Sequence, residues 1–170
     1  MLVENSCSLQ VILTDQIGEL RGGYWRARMK MRSGCPIDFA LDVFGDRWTL
    51  LVIRDLVFVG KCRFTQFADS PEGIASNILA ARLKKLEEHG LVSRQIDPQS
   101  RKQIVYELTD KGLDLVPLLI DTIAWGAKHD PQTAAPKAFL ERIRKDRDGL
   151  IRETIASIRQ RRRKPSVAAS

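Results

Sequence analysis

The chain has 170 residues, 44% of them hydrophobic and 29% charged, enough for one domain with a sizeable core and an appendage. No apolar run approaches the roughly eighteen residues of a membrane span, and the start lacks the basic leader of a secretory signal, so a cytoplasmic protein without membrane attachment is expected. The formal charge is +7, and residues 137–164 carry that whole excess, with eleven basic side chains against four acidic. Such an excess points to a polyanion, most simply nucleic acid. Cys7, Cys35 and Cys62 form an odd, widely spaced set without zinc-ligand spacing. Reduced thiols are expected in a cytosolic setting, with no metal and no cofactor.

Residues 1–32 show no strong pattern and read as an N-terminal arm. Met29 and Met31 are alternative starts, so residues 1–28 are either a native arm or a non-native extension. Pro36 suits the first turn of a helix that Gly45 ends, with Phe39, Ala40, Val43 and Phe44 on its apolar face. A second helix is predicted over 47–59, capped by Asp46, with Trp48, Leu51, Val52, Leu56 and Val59 inward. Residues 64–68 form a short helix, followed by a Ser70-Pro71-Glu72-Gly73 turn.

The stretch 75–90 is the most informative. Ile78, Leu79, Leu83 and Leu86 recur at helical spacing, with Ser76 as N-cap and Gly90 as stop. The opposite face carries Ser76, Asn77, Ala80, Ala81, Lys84 and Lys85, small and polar and then basic. Such a surface can enter a major groove without obstruction. Residues 92–96 and 103–108 alternate as two strands, each with a half-buried face: Val92, Arg94 and Ile96 on one, Ile104, Tyr106 and Leu108 on the other. Asp97-Pro98-Gln99-Ser100 supplies the turn, with Arg101 and Lys102 at or beside its tip. Two short helices followed by a hairpin make a winged helix-turn-helix, mainly α with one small β-hairpin.

Thr109 caps a further helix over 110–128, with Leu113, Val116, Leu119, Ile120 and Ile123 inward, Trp125 near its end and a kink expected at Pro117. Residues 131–136 are a linker. Residues 137–164 form a basic amphipathic helix with an apolar stripe of Phe139, Ile143, Leu150, Ile151, Ile155 and Ile158, weakened at Gly149; 165–170 are a tail. His89 lies at a helix end, where its positive form is favoured. No phosphate loop, dinucleotide fingerprint or acyl-transfer triad is present, so no catalytic residue is assigned and an enzyme is not expected.

Cys35-Pro36, Ala40-Leu41, Gly45, Arg47-Trp48-Thr49, Arg54-Asp55-Leu56, Arg63-Phe64, Phe67, Gly73-Ile74, Leu79, Arg82-Leu83, Leu86-Glu87, Gly90-Leu91-Val92, Tyr106-Glu107-Leu108-Thr109 and Gly112 recur in order over nearly a hundred residues. This series resembles the HxlR family of bacterial winged helix-turn-helix transcription regulators, relatives of the MarR type, and places the domain at 33–130. The resemblance implies a homodimer on a pseudo-palindromic operator in double-stranded DNA, with residues 35–44 and 113–125 as extra dimerisation helices. It makes 76–85 the recognition helix and 99–102 the wing tip. DNA contact then falls to Ser76, Asn77, Ala80, Ala81, Arg82, Lys84, Arg101 and Lys102, and Arg82 has an internal ion pair as its alternative. Some family members sense oxidants or electrophiles through a cysteine at the position of Cys35. Here that residue is either a sensor for an electrophile or small-molecule effector, or a packed, unreactive thiol. The leading function is a sequence-specific regulator, simplest as a repressor. The alternative is a non-specific architectural or protein-interaction module using a winged fold and a basic tail.

Overall fold

The computed structural model describes residues 34–97 and 100–163, without the side chains of Arg101 and Lys102. The expectations for residues 1–33, Cys7 among them, for the turn residues Pro98 and Gln99 and for the tail lie outside the described residues. The chain divides into two compact units after Phe39. The helix α1, Pro36–Phe44, begins in the first of them, where the Phe39 amide donates to the Cys35 carbonyl at 3.1 Å. Val43 is buried as expected, but Phe39 is exposed.

In the second unit, α2 covers Thr49–Arg54 and runs on into a widened π-type turn, Asp55–Val59, closed by Gly60 at φ 76°. That turn inserts a residue into the helical repeat and shifts its phase. Val59, expected inward, is therefore 60% exposed, while Ile53 and Val57 are buried. After α3 (Phe64–Ala68) and α4 (Ser76–Glu88), the strands β1 (Val92–Asp97) and β2 (Ser100–Leu108) pair antiparallel.

Val92 faces Leu108, Arg94 faces Tyr106 and Ile96 faces Ile104, after which the register slips and Asp97 faces Ser100. The face of β1 that starts at Val92 runs off the core before the slip, since Arg94 on the same parity is already exposed. Ile96, expected on the half-buried face, is 65% exposed, and Asp97 is buried in its place. The Tyr106 amide donates to the Cys62 carbonyl at 2.8 Å and ties the hairpin to the segment before α3.

The helix predicted over 110–128 is two helices, α5 (Asp110–Leu113) and α6 (Val116–His129). Pro117 is not a mid-helix kink. It stands in the first turn of α6, where its missing amide costs no hydrogen bond. Thr109 caps α5 by accepting from the Gly112 amide at 3.1 Å, and its hydroxyl donates to the Gly90 carbonyl at 2.6 Å. It thereby joins the end of α4 to the start of α5.

The helix α7, Lys137–Arg163, leaves helical geometry at Asp146, where φ is −155° and ψ is 70°. The Asp146 carboxylate accepts from the Gly149 amide at 2.9 Å and restarts the helix. A Cβ at Gly149 would overlap that carboxylate, so glycine is what admits the cap. Phe139 packs edge-on against Phe58, with centroids 5.6 Å apart, and Ile143 and Ile158 are buried. Among the described residues no helix is long and apolar enough to cross a membrane.

Apolar side chains from α2, α3, α4, the hairpin, α5, α6 and α7 share one core. Each fully buried aliphatic chain in it contributes about 1.5–3 kcal/mol. Thr109→Val keeps the side-chain volume but removes both hydroxyl hydrogen bonds, and is expected to lower stability by about 1–2 kcal/mol in denaturant unfolding.

Candidate nucleic-acid interface

The inner face of α4 is anchored by Leu79, Leu83 and Leu86, each no more than 1% exposed. This leaves Ser76, Asn77, Ala80, Ala81 and Lys84 exposed together on the outer face. Ser76 is the first helical residue and not the cap. Ala75 holds the cap position at φ −66° and ψ 139°, and no side chain bonds the first-turn amides. Amides left without a side-chain cap at a helix N-terminus suit a phosphate. Gly90, at φ 65°, stops the helix as expected, and the Leu91 amide donates back to the Leu86 carbonyl at 2.9 Å.

Arg82 turns away from this face. Its guanidinium donates to the Asp46 carboxylate at 3.0 Å, so the internal pair is formed. Asp46 also accepts from the amides of Trp48 and Thr49, at 2.9 and 3.0 Å, and from the Thr49 hydroxyl. Burial alone would push the Asp46 carboxyl up, but those hydrogen bonds and the Arg82 charge hold it below the usual range. One carboxylate thus starts α2 and fixes the attitude of α4. Lys84 stays 75% exposed, 3.8 Å from Glu88 one turn on.

The loop leading into α4 is held by a second, larger network. Asp55 is 2% exposed. Its carboxylate accepts from Arg54 at 2.6 and 2.9 Å, from Lys61 at 2.9 Å and from the Ser70 hydroxyl at 2.7 Å. Arg54 also donates to Glu72 at 2.5 and 3.2 Å. Burial would raise the Asp55 carboxyl, yet the bonds from Ser70, Lys61 and Arg54 hold it low; the Arg54 bond does the same for Glu72. The role of this network escaped the sequence reading, although an adjacent Arg54-Asp55 pair inside an apolar run was its visible sign.

Arg63 donates to Asp97 at 2.7 Å and fastens the start of α3 to the far end of β1. Arg101 and Lys102 stand beside the hairpin turn, in β2, which begins at Ser100 and so starts three residues before the predicted strand; the register slip falls in that added part.

Cys35 is exposed just ahead of α1. Cys62 is half-buried, and burial pushes its thiol up, away from the reactive thiolate. His89 reverses its expectation: burial, then the Lys85 and Lys111 ammonium groups, push its imidazole down and favour the neutral form. Trp125 is 69% exposed and is not a core residue, with its ring 5.0 Å from that of His129. Among the described residues no group of three or more His, Cys, Asp or Glu side chains is placed to hold a metal ion.

The HxlR-like helix-turn-helix family model matches residues 43–134. The uncharacterized HTH-type transcriptional regulator sll1512 of Synechocystis is 36% identical over 86 residues, which are 51% of this chain and 63% of that protein. The chain therefore spans slightly less than two thirds of that relative. Among solved structures, PA1607 is similar with a TM-score of 0.55 and 41% identity, covering 62% of this chain and 73% of that one. The redox regulator HypR in its oxidized form gives a TM-score of 0.51 and 30% identity, over 56% of this chain and 98% of that one.

Asp55→Asn leaves the Arg54 and Lys61 charges without their buried partner and is expected to cost about 3 kcal/mol in denaturant unfolding. The folded-state carboxyl lies below its unfolded value. Its stabilisation is therefore present above the unfolded value near pH 4 and lost as pH falls through the folded one. Unfolding measured across acid pH should show a shallower acid loss in the variant than in the wild type.

Proposed function

This chain belongs to the HxlR-like helix-turn-helix family of transcription regulators, and from that premise we propose that it reads a specific duplex sequence as a homodimer in the cytoplasm. The observation that carries the proposal is the outer face of α4. It is exposed, uncharged at Ser76, Asn77, Ala80 and Ala81, and free of acidic residues throughout 75–86. Asn77 can pair with an adenine edge, the two alanines can touch thymine methyls, and Lys84 can reach a guanine or a phosphate. Arg101 and Lys102 follow the hairpin turn and serve as phosphate contacts there, while Arg82 acts through Asp46 to orient the helix. Exposed Leu41 on α1 and Leu118 and Trp125 on α6 support a homodimer through these helices. Two copies related by a twofold axis then call for an inverted repeat. Occupying a promoter in this way represses it, and the protein does this without catalysing a reaction.

A second reading concerns Cys35, whose exposure ahead of α1 supports a thiol that gates DNA binding. Its likeness to HypR, a redox regulator, points the same way. A mild thiol oxidant should weaken operator binding of the wild type and leave Cys35→Ser unchanged.

Selection of bound fragments from random duplex DNA at near-physiological salt is expected to recover an inverted repeat. Asn77→Ala should then relax the preference at one base pair per half-site by about 1–3 kcal/mol. Arg101→Ala should weaken binding evenly across sequences and reduce the salt slope by about 1. Recovery of no motif would leave the non-specific architectural module in place of the regulator.

A further inference from the structure

The helix α7 lies beyond the matched residues for all but its approach, and it carries the chain's excess charge. It is not a loose tail. Its apolar side is spent on the core through Phe139, Ile143 and Ile158. Near its end the Arg161 guanidinium donates to the Val57 carbonyl at 2.9 Å, and Arg162 to the Leu108 carbonyl at 3.0 Å. Two of its basic residues are thus committed to holding the helix on the winged core.

The outer side differs. Arg152, Arg159 and Arg163 are exposed, spaced by seven and four residues, and so share one stripe about 16 Å long. Ala156 and Gln160 lie between them. Three of the helix's four carboxylates are taken up elsewhere, Glu153 and Asp146 by Arg142 and Asp148 by Arg147, and the fourth, Glu141, lies three turns before Arg152. Asp110 sits 2.8 Å from Arg162 and only 3.7 Å from Arg159. No carboxylate pairs with Arg152 or Arg163 among the described residues.

The winged core is differently disposed. Residues 34–136 carry 12 basic and 14 acidic side chains, and Arg54, Lys61, Arg63 and Arg82 are all tied to carboxylates. The recognition face contributes one lysine, 3.8 Å from Glu88. Base reading falls to α4, and beyond Lys84 and the wing residues Arg101 and Lys102 the electrostatic affinity must come from another part of the molecule.

We infer that the Arg152–Arg159–Arg163 stripe is a sequence-independent phosphate-binding surface that adds affinity for duplex DNA. The inference rests on the DNA-binding reading above. An acidic protein partner is less well matched, because protein interfaces are anchored by buried apolar or aromatic groups. The one large apolar group bordering the stripe, Ile155, is part-buried against the core, whereas Ala156 and Gln160 between the arginines admit a phosphate backbone closely.

The test is a salt titration of the full chain with the selected duplex and with an unrelated one. The variant R152Q/R159Q/R163Q should show a logarithmic salt slope shallower by about 2–3 per protomer on both duplexes, with base preference retained. R152K/R159K/R163K, which keeps the charges, should hold the wild-type slope and so separates lost charge from lost folding. Wild-type slopes in the glutamine variant would overturn the inference. If that variant also loses retention on immobilised poly-glutamate, the stripe is an acidic-protein surface instead. Failure of the wild type to bind either duplex at low salt would overturn the DNA reading itself.

Discussion

A buried carboxylate is tolerated only when its charge and lone pairs are satisfied, and Asp55 turns that requirement into a joint. Its partners come from the end of α2 (Arg54), the extended segment after it (Lys61) and the loop before α4 (Ser70). Arg54 extends the joint to Glu72. Three pieces of chain that the hydrophobic core alone would hold loosely are thereby fixed in direction as well as in position. Asp46 repeats the device on a smaller scale, as it caps α2 and receives Arg82 from α4. A reading helix needs this. Leucines at 79, 83 and 86 bury one side of it, but apolar contact is non-directional, and a face that matches base edges must hold its angle.

The same economy of charge explains how the surface is divided. Arg54, Lys61, Arg63 and Arg82 of the winged core are spent on carboxylates, and the outer face of α4 carries little charge of its own. Such a face discriminates by shape and hydrogen bonding, not by attraction. On the reading proposed above, most of the attraction falls to α7, a helix whose inner arginines bond backbone carbonyls and whose outer ones face solvent, with Arg101 and Lys102 of the wing adding to it. Specificity and affinity can then be tuned separately.

Much of this was legible in the sequence because it is local. The period of Leu79, Leu83 and Leu86 placed Asn77, Ala81 and Lys84 outside without further help. Thr109 and Gly90 announced the end of α4 and the start of α5 through cap chemistry alone. The failures lie beyond what a local pattern reports. Val59 was misplaced because a π-type turn changes the phase of a repeat that a periodic reading assumes constant, and Ile96 because alternation does not say where a strand leaves the core. Pro117 could be read as a kink or a start, and only the break after Leu113 decides. Arg82 and Arg63 found partners 36 and 34 residues away, at distances that no local pattern reports. His89 was judged by its helix end alone, whereas burial and two neighbouring lysines reverse its preference.

The most direct test of recognition through α4 places a photo-crosslinking side chain at Asn77 in the full chain and irradiates it with bound duplex DNA. The expected result is a crosslink to a base within each half-site, lost when that half-site is scrambled. A variant that still binds the duplex tightly yet yields no crosslink from position 77 would contradict the assignment of α4 as the reading helix.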